Sequence, residues 1–163
     1  MFRSSWLLLP ALLLLLATGC KKNTSYLYEV NTITVNPNNG GKTKQKSQEQ
    51  FINIAYANFF QEALAPNDLV DISKVVTSIG DKQIAFETVI SKMIVDPNVV
   101  IPSNQEMRAD LETFIEETYK RFYVRIPTEA EKTWWINYLE SNTDVDPELV
   151  YFSFATSNEY YFY

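Results

Sequence analysis

Phe51, Ile52, Tyr56, Phe59 and Phe60 recur 63 residues later as Phe114, Ile115, Tyr119, Phe122 and Tyr123. Steps of three and four put each set on one face of a helix, and a face so rich in rings must be buried. After each set come a proline and a capping residue, Pro66-Asn67 and Pro127-Thr128, so each helix ends at a corner. Two such faces predict two similar three-helix halves, within residues 47–98 and 103–163, that share one core. The match fades beyond the corners. Duplication and convergence on one helix pattern account for it equally.

The rest of the body predicts an all-α fold of about six amphipathic helices. Ser47 with Gln50 is a capping box for the first, which ends near Ala65-Pro66. A second begins about Asp68, turns Leu69, Ile72, Val76 and Ile79 inward, and has Gly80 at its C′ position. Asp81 caps a third, which buries Phe86, Val89, Ile90 and Met93 and stops before Asp96-Pro97. Ser103 with Glu106 opens a long fourth helix that runs through Phe122 and breaks near Ile126, because the residue before Pro127 is pushed out of the α region. Thr128 with Glu131 caps the fifth, which carries Trp135 and Leu139 inward, and Asp146-Pro147 starts the sixth. Arg125, Pro127, Thr128, Glu131 and Trp135 form the structural corner. Arg125 is expected to fork onto a carboxylate, Glu129 or Glu131, or onto a helix-end carbonyl.

Residues 1–19 read as a signal peptide: Arg3 is a short positive region, Trp6 to Ala17 an apolar run too short to span a bilayer, and Ala17, Thr18 and Gly19 are small residues before Cys20. The segment resembles the lipobox of bacterial lipoproteins, which implies cleavage before Cys20 and covalent lipid on that residue. Cys20 is the only cysteine, so lipidation leaves no thiol for a disulfide. Acyl chains in combination anchor durably where one alone does not. Residues 20–46 then read as a flexible basic tether, with a β-branched run at 26–35 that has no partner strand and a turn-forming stretch after it. Charge divides sharply, with +4 over residues 20–48 and −11 over residues 49–163. A basic leash suits anionic headgroups or wall polymer, and an acidic body argues against nucleic acid.

Chemistry is bounded mainly by the absence of histidine, which removes the usual general base, the usual zinc ligand and every histidine-containing triad. Asn142, Asp144, Asp146 and Glu148 alternate like a calcium loop, but Pro147 stands where that loop needs glycine and Ser153 where it needs a bidentate glutamate; a capped turn is the expectation. Glu116, Glu117, Glu129 and Glu131 could pair as acid and base in a glycosidase, yet they fall on polar helix positions. No metal and no cofactor beyond the lipid on Cys20 is expected.

The pattern Phe114-x4-Tyr119-x3-Tyr123-x-Arg125-x-Pro127-x7-Trp135-x3-Leu139, followed by Phe154-x2-Ser157-x-Glu159-Tyr160, resembles the bacterial domain of unknown function 4214 family. Two glycines of that pattern are replaced, one by Glu131 and one within Glu140 to Asp144. The resemblance covers about a third of the chain and implies a helical module of secreted or surface proteins with no catalytic residue to transfer. The expectation is a non-catalytic helical interaction or assembly module held on the outer membrane by its lipid, facing the periplasm, since Lys21 rather than aspartate follows Cys20 and no acidic run follows to suggest surface export. Its expected partner is an envelope protein. One of Trp134 and Trp135 must point outward. With Tyr160, Tyr161, Phe162 and Tyr163 it is the expected contact surface, unless those terminal rings close the core instead. The alternative is a glycan- or peptidoglycan-binding lipoprotein whose rings stack on sugars, and a carboxylate hydrolase ranks third.

Overall fold

The computed structural model describes residues 42–162. Cys20, the signal peptide, most of the tether and Tyr163 lie outside the described residues. Among those residues the chain forms seven α-helices: α1 Gln48–Phe60, α2 Pro66–Ser78, α3 Lys82–Ile94, α4 Asn104–Ala109, α5 Leu111–Tyr123, α6 Glu129–Ser141 and α7 Pro147–Ala155, followed by a 3-10 turn at Glu159–Tyr161. The all-α expectation holds. None of these helices is long and apolar enough to cross a membrane.

The expected long fourth helix is two. Asp110, at φ −152° and ψ 85°, ends α4, and its carboxylate accepts from the Thr113 backbone N–H at 3.0 Å to start α5. A side chain that satisfies the first free N–H groups makes a new helix start cheaper than continuing the old one. This break sets the repeat. Ser47 caps α1 and Asp110 caps α5, 63 positions apart; α1 and α5, and likewise α2 and α6, then begin and end 63 positions apart.

The core faces match at four positions of α1 and α5, while Tyr119 and Tyr123 are buried where Tyr56 and Phe60 are half-buried. Phe51, Ile52, Ala55 and Phe59 are buried on α1, as are Phe114, Ile115, Thr118 and Phe122 on α5; Val76 on α2 matches Leu139 on α6. Both α1 and α5 end in a left-handed residue that is not glycine, Gln61 and Val124, each at φ 55°. The prolines are not equivalent, however. Pro66 sits in the first turn of α2 behind Ala65, which makes no side-chain cap, whereas Pro127 precedes the cap Thr128. Asn67 therefore does not cap α2. Nor does Gly80 adopt the left-handed form expected after α2.

Helices α1, α2 and α3 pack on one another, α5 packs on α4, α6 and α7, and α3 meets α7 to join the halves. Tyr160, fully buried, closes the joint. Its ring meets Phe51 edge-on at 5.5 Å and Phe122 at 5.8 Å, and its hydroxyl accepts from Asn58 at 2.9 Å. Tyr161 stacks on Phe51 at 5.3 Å. Residues 42–46, expected to belong to the flexible tether, run along this segment instead. The Lys46 backbone N–H donates to the Tyr161 carbonyl at 2.9 Å, Gln45 and Phe162 form an antiparallel bridge, and the Lys46 ammonium lies over the Tyr160 ring while donating to its carbonyl. The two ends of the helical body thus hold each other, with burial of the Lys46 ammonium lowering its pKa to about 8.

Candidate functional site

Two features of the second half carry polar chemistry or exposed apolar surface: the corner between α5 and α6, and the outer face of α6. At the corner the backbone turns through left-handed Val124 and extends through Pro127 to Thr128. This leaves Arg125 pointing back onto α5, only 8% exposed. Its guanidinium lies 4.8 Å from the ring centre of Tyr119 and 5.6 Å from that of Tyr123.

Every N–H of that guanidinium is used. Nε donates to Glu159 Oε1 at 2.7 Å and Nη2 to Glu159 Oε2 at 2.8 Å; Nη1 and Nη2 donate to Glu131 at 2.9 and 2.7 Å, and Nη1 also reaches the Ile126 carbonyl at 3.3 Å. Two bidentate carboxylates on one planar fork match the geometry that arginine, and not lysine, can satisfy. Glu131 also accepts from the Thr128 backbone N–H at 2.7 Å, which completes the capping box. The fork therefore joins a helix start to the C-terminal turn.

The charges respond accordingly. Hydrogen bonds from Arg125 lower the Glu131 carboxyl to about 2, and the two carboxylates raise Arg125. Burial pushes the Glu159 carboxyl up, but Arg125 and Lys42 outweigh it and leave it lowered. Lys42 approaches Glu159 at 3.4 Å and lies over the Tyr123 ring at 5.1 Å. Burial raises the Tyr119 hydroxyl to about 12.

Arg125, Thr128 and Glu131 thus meet as expected, with Pro127 buried beside them and Trp135 half-buried with its ring 5.2 Å from Phe154. Glu129 does not join the fork. It faces Lys132, which also binds Glu112 at 2.6 Å and Glu116 at 3.4 Å. Glu117 pairs with Lys120 at 2.8 Å. The four carboxylates weighed as an acid–base pair are therefore spread over three different basic partners. Asp146 caps α7 through the Leu149 backbone N–H at 2.8 Å.

The fork's second carboxylate, Glu159, was not anticipated, because it lies 34 residues from Arg125. Arg108 was also missed. It donates to the carbonyls of Leu139, Asn142 at 3.1 Å and Val145 at 2.8 Å, and so ties α4 to the end of α6. A basic side chain that satisfies the last carbonyls of another helix leaves no local sequence signal.

The chain matches no protein-family model, no curated protein and no solved structure.

On the outer face of α6, Trp134 is 57% exposed and stacks on Tyr138, itself 37% exposed, with ring centres 5.3 Å apart and planes 5° from parallel. Trp135 meets Trp134 edge-on at 5.0 Å. Of the expected contact residues among those described, Trp134 is the one that stands outward. Tyr160 is fully buried and cannot touch a partner, because its ring is spent on Phe51 and Phe122; Tyr161 and Phe162 are half-buried.

Proposed function

We propose that this chain is a lipid-anchored, non-catalytic interaction module of the cell envelope, tethered through Cys20 to the outer membrane on its periplasmic side. It offers the Trp134–Tyr138 face of α6 to a protein partner. The observation that carries this reading is the stacked, solvent-facing ring pair on a helix whose other face is committed to the core. Aromatic side chains ordered in advance lose little freedom on contact and are the side chains most often found at interface centres. The Arg125 fork serves this face indirectly: it fixes the start of α6 and so the direction in which the rings project.

A second reading rests on the same pair. Exposed ring faces flanked by Thr133 and Asn137, both exposed on the same helix, also suit a sugar, which stacks on an aromatic plane while its hydroxyls bond to polar neighbours. The experiment that separates the two is recovery of Trp134→Ala and the wild type from solubilised membranes and, in parallel, on insoluble peptidoglycan. Loss of a co-purifying protein with an unchanged melting temperature supports the protein reading. Loss of peptidoglycan retention alone supports the glycan reading, and no change in either refutes the assignment of this face.

A further inference from the structure

The 63-residue offset extends beyond the helices to the charged groups of the corner. Counting back from Tyr119, Tyr123, Glu131 and Glu159 gives Tyr56, Phe60, Asp68 and Asp96, so two rings and two carboxylates recur. The position of Arg125 is the exception: it holds Glu62. The first half therefore carries sequence counterparts of the two rings and two carboxylates that hold Arg125, with a third carboxylate in place of the arginine.

The geometry there is that of an open site. Between α1, α2 and α3 lies a cavity of about 290 Å³ lined by Tyr56, Phe60, Ile72, Val89, Met93 and Asp96, with Lys92 also on its wall. The Tyr56 and Phe60 rings stack at 4.4 Å and 25°, and the Tyr56 hydroxyl donates to Glu62 at 3.0 Å. Asp96 accepts from the Asn98 backbone N–H at 2.9 Å. Burial and the hydrogen bond to Glu62 raise the Tyr56 hydroxyl, and the negative charges of Glu62, Asp68 and Asp96 act in the same direction. Among the described residues no group of three acidic side chains is close enough to hold a metal ion.

From this we infer that the groove between α1, α2 and α3 receives one arginine side chain from a partner protein, its guanidinium laid on the Tyr56–Phe60 rings and bonded by Glu62, Asp68 and Asp96. The template is Arg125 on Tyr119 and Tyr123 between Glu131 and Glu159, although those two rings meet edge-on at 86° where Tyr56 and Phe60 stack, so the incoming guanidinium would lie on the outer face of the pair. Lysine fits less well, since a point charge cannot span two carboxylates as a fork does. The arginine comes in trans, because each described arginine of this chain is already bonded: Arg108 to the end of α6, Arg121 to the Val100 carbonyl at 2.8 Å, and Arg125 to its two glutamates. A second copy offers the same three committed side chains. The net charge of −11 over residues 49–163 favours approach of a basic segment. Lys92 opposes it and sets a preference for a side chain that reaches the carboxylate end of the groove.

This site rests on the reading of the chain as an interaction module but uses a different face from Trp134. The test is a nuclear magnetic resonance titration of the isotope-labelled full chain in detergent with the peptide acetyl-Gly-Gly-Arg-Gly-Gly-amide, and with the same peptide carrying citrulline, which keeps the shape and loses the charge. The expected result is saturable shifts at Tyr56, Phe60 and Met93, at least about ten times weaker for citrulline, as expected when a charge-assisted fork on an aromatic face is lost. Glu62→Arg should abolish the shifts and raise the melting temperature, because the installed arginine fills the groove as Arg125 fills its own; Glu62 is exposed, so the variant has no core to disturb. Equal binding of the two peptides, undiminished binding to Glu62→Arg, or no shift at these residues would overturn the inference. Trp134→Ala should leave the titration unchanged, so failure at one face is distinguishable from failure at the other.

Discussion

Replacing Arg125 by methionine keeps a stem of similar length over Tyr119 while removing all five donors. The cost can be worked from the Glu131 carboxyl, which falls from an ordinary value of 4.5 to about 2. At about 1.4 kcal/mol per pH unit, that corresponds to about 3.5 kcal/mol before screening, of which Arg125 supplies the largest part and the Thr128 bonds, which the substitution leaves in place, the rest. The Glu131 side chain is 34% exposed, and solvent reduces the figure to about 1.5–2 kcal/mol. Glu159 loses two charge-assisted bonds as well, which brings the total to about 3 kcal/mol, near the lower end for breaking a buried pair. For a body of this size the melting temperature should drop by about 10–15 °C. The pH dependence gives a sharper check. Because the folded-state carboxyl is lowered, its contribution is complete above about pH 4.5 and is lost as pH falls toward 2. Urea unfolding of both proteins from pH 7 to pH 2.5 should therefore show the difference narrowing below pH 4.5. A difference under about 0.5 kcal/mol at pH 7, or one that is the same at pH 2.5, would refute the reasoning.

Two further substitutions test the backbone and the joint. Val124 is a β-branched residue at φ 55° with 49% of its surface exposed, so Val124→Gly should stabilise by up to about 1 kcal/mol in thermal unfolding, the relief of the left-handed strain exceeding the added freedom of the unfolded chain; a clear loss would show that the side chain packs. Tyr161 buries a hydroxyl that bonds no group among the described residues, so Tyr161→Phe should keep or raise the melting temperature by the equivalent of about 1 kcal/mol; a drop would reveal a bonded hydroxyl.

What could be read from the sequence was what repeats over three or four residues. The aromatic faces of α1 and α5, the capping boxes at Ser47, Ser103 and Thr128, and the outward placement of one tryptophan all follow from local spacing. The expected long fourth helix divides because the Asp110 carboxylate and the Thr113 backbone N–H form a cap inside it, a start signal that lacks the Glu or Gln of a capping box. Long-range partners left no such trace. Glu159 reaches Arg125 across 34 residues, and Lys46 meets Tyr160 across 114; nothing adjacent to either residue announces the pairing. The terminal rings were ambiguous for a related reason. Composition alone shows that Tyr160 is apolar with a polar tip, and only the gap between α1 and α5, with Asn58 placed to bond the hydroxyl, makes burial the better state. The groove proposed to receive an arginine is hard to read from the sequence, because Asp68 and Asp96 stand for Glu131 and Glu159 and Glu62 stands for Arg125, exchanges that the similarity of core residues does not reveal.

The Trp134 face is proposed to meet an envelope protein. The most direct test places a benzophenone amino acid at position 134, and separately at exposed Lys74 on α2 as a control, with irradiation of intact cells and blotting for the full chain. The account predicts a discrete protein adduct from position 134 and none of that size from position 74. Irradiation that yields no protein adduct at 134, or the same adducts at both positions, would contradict it.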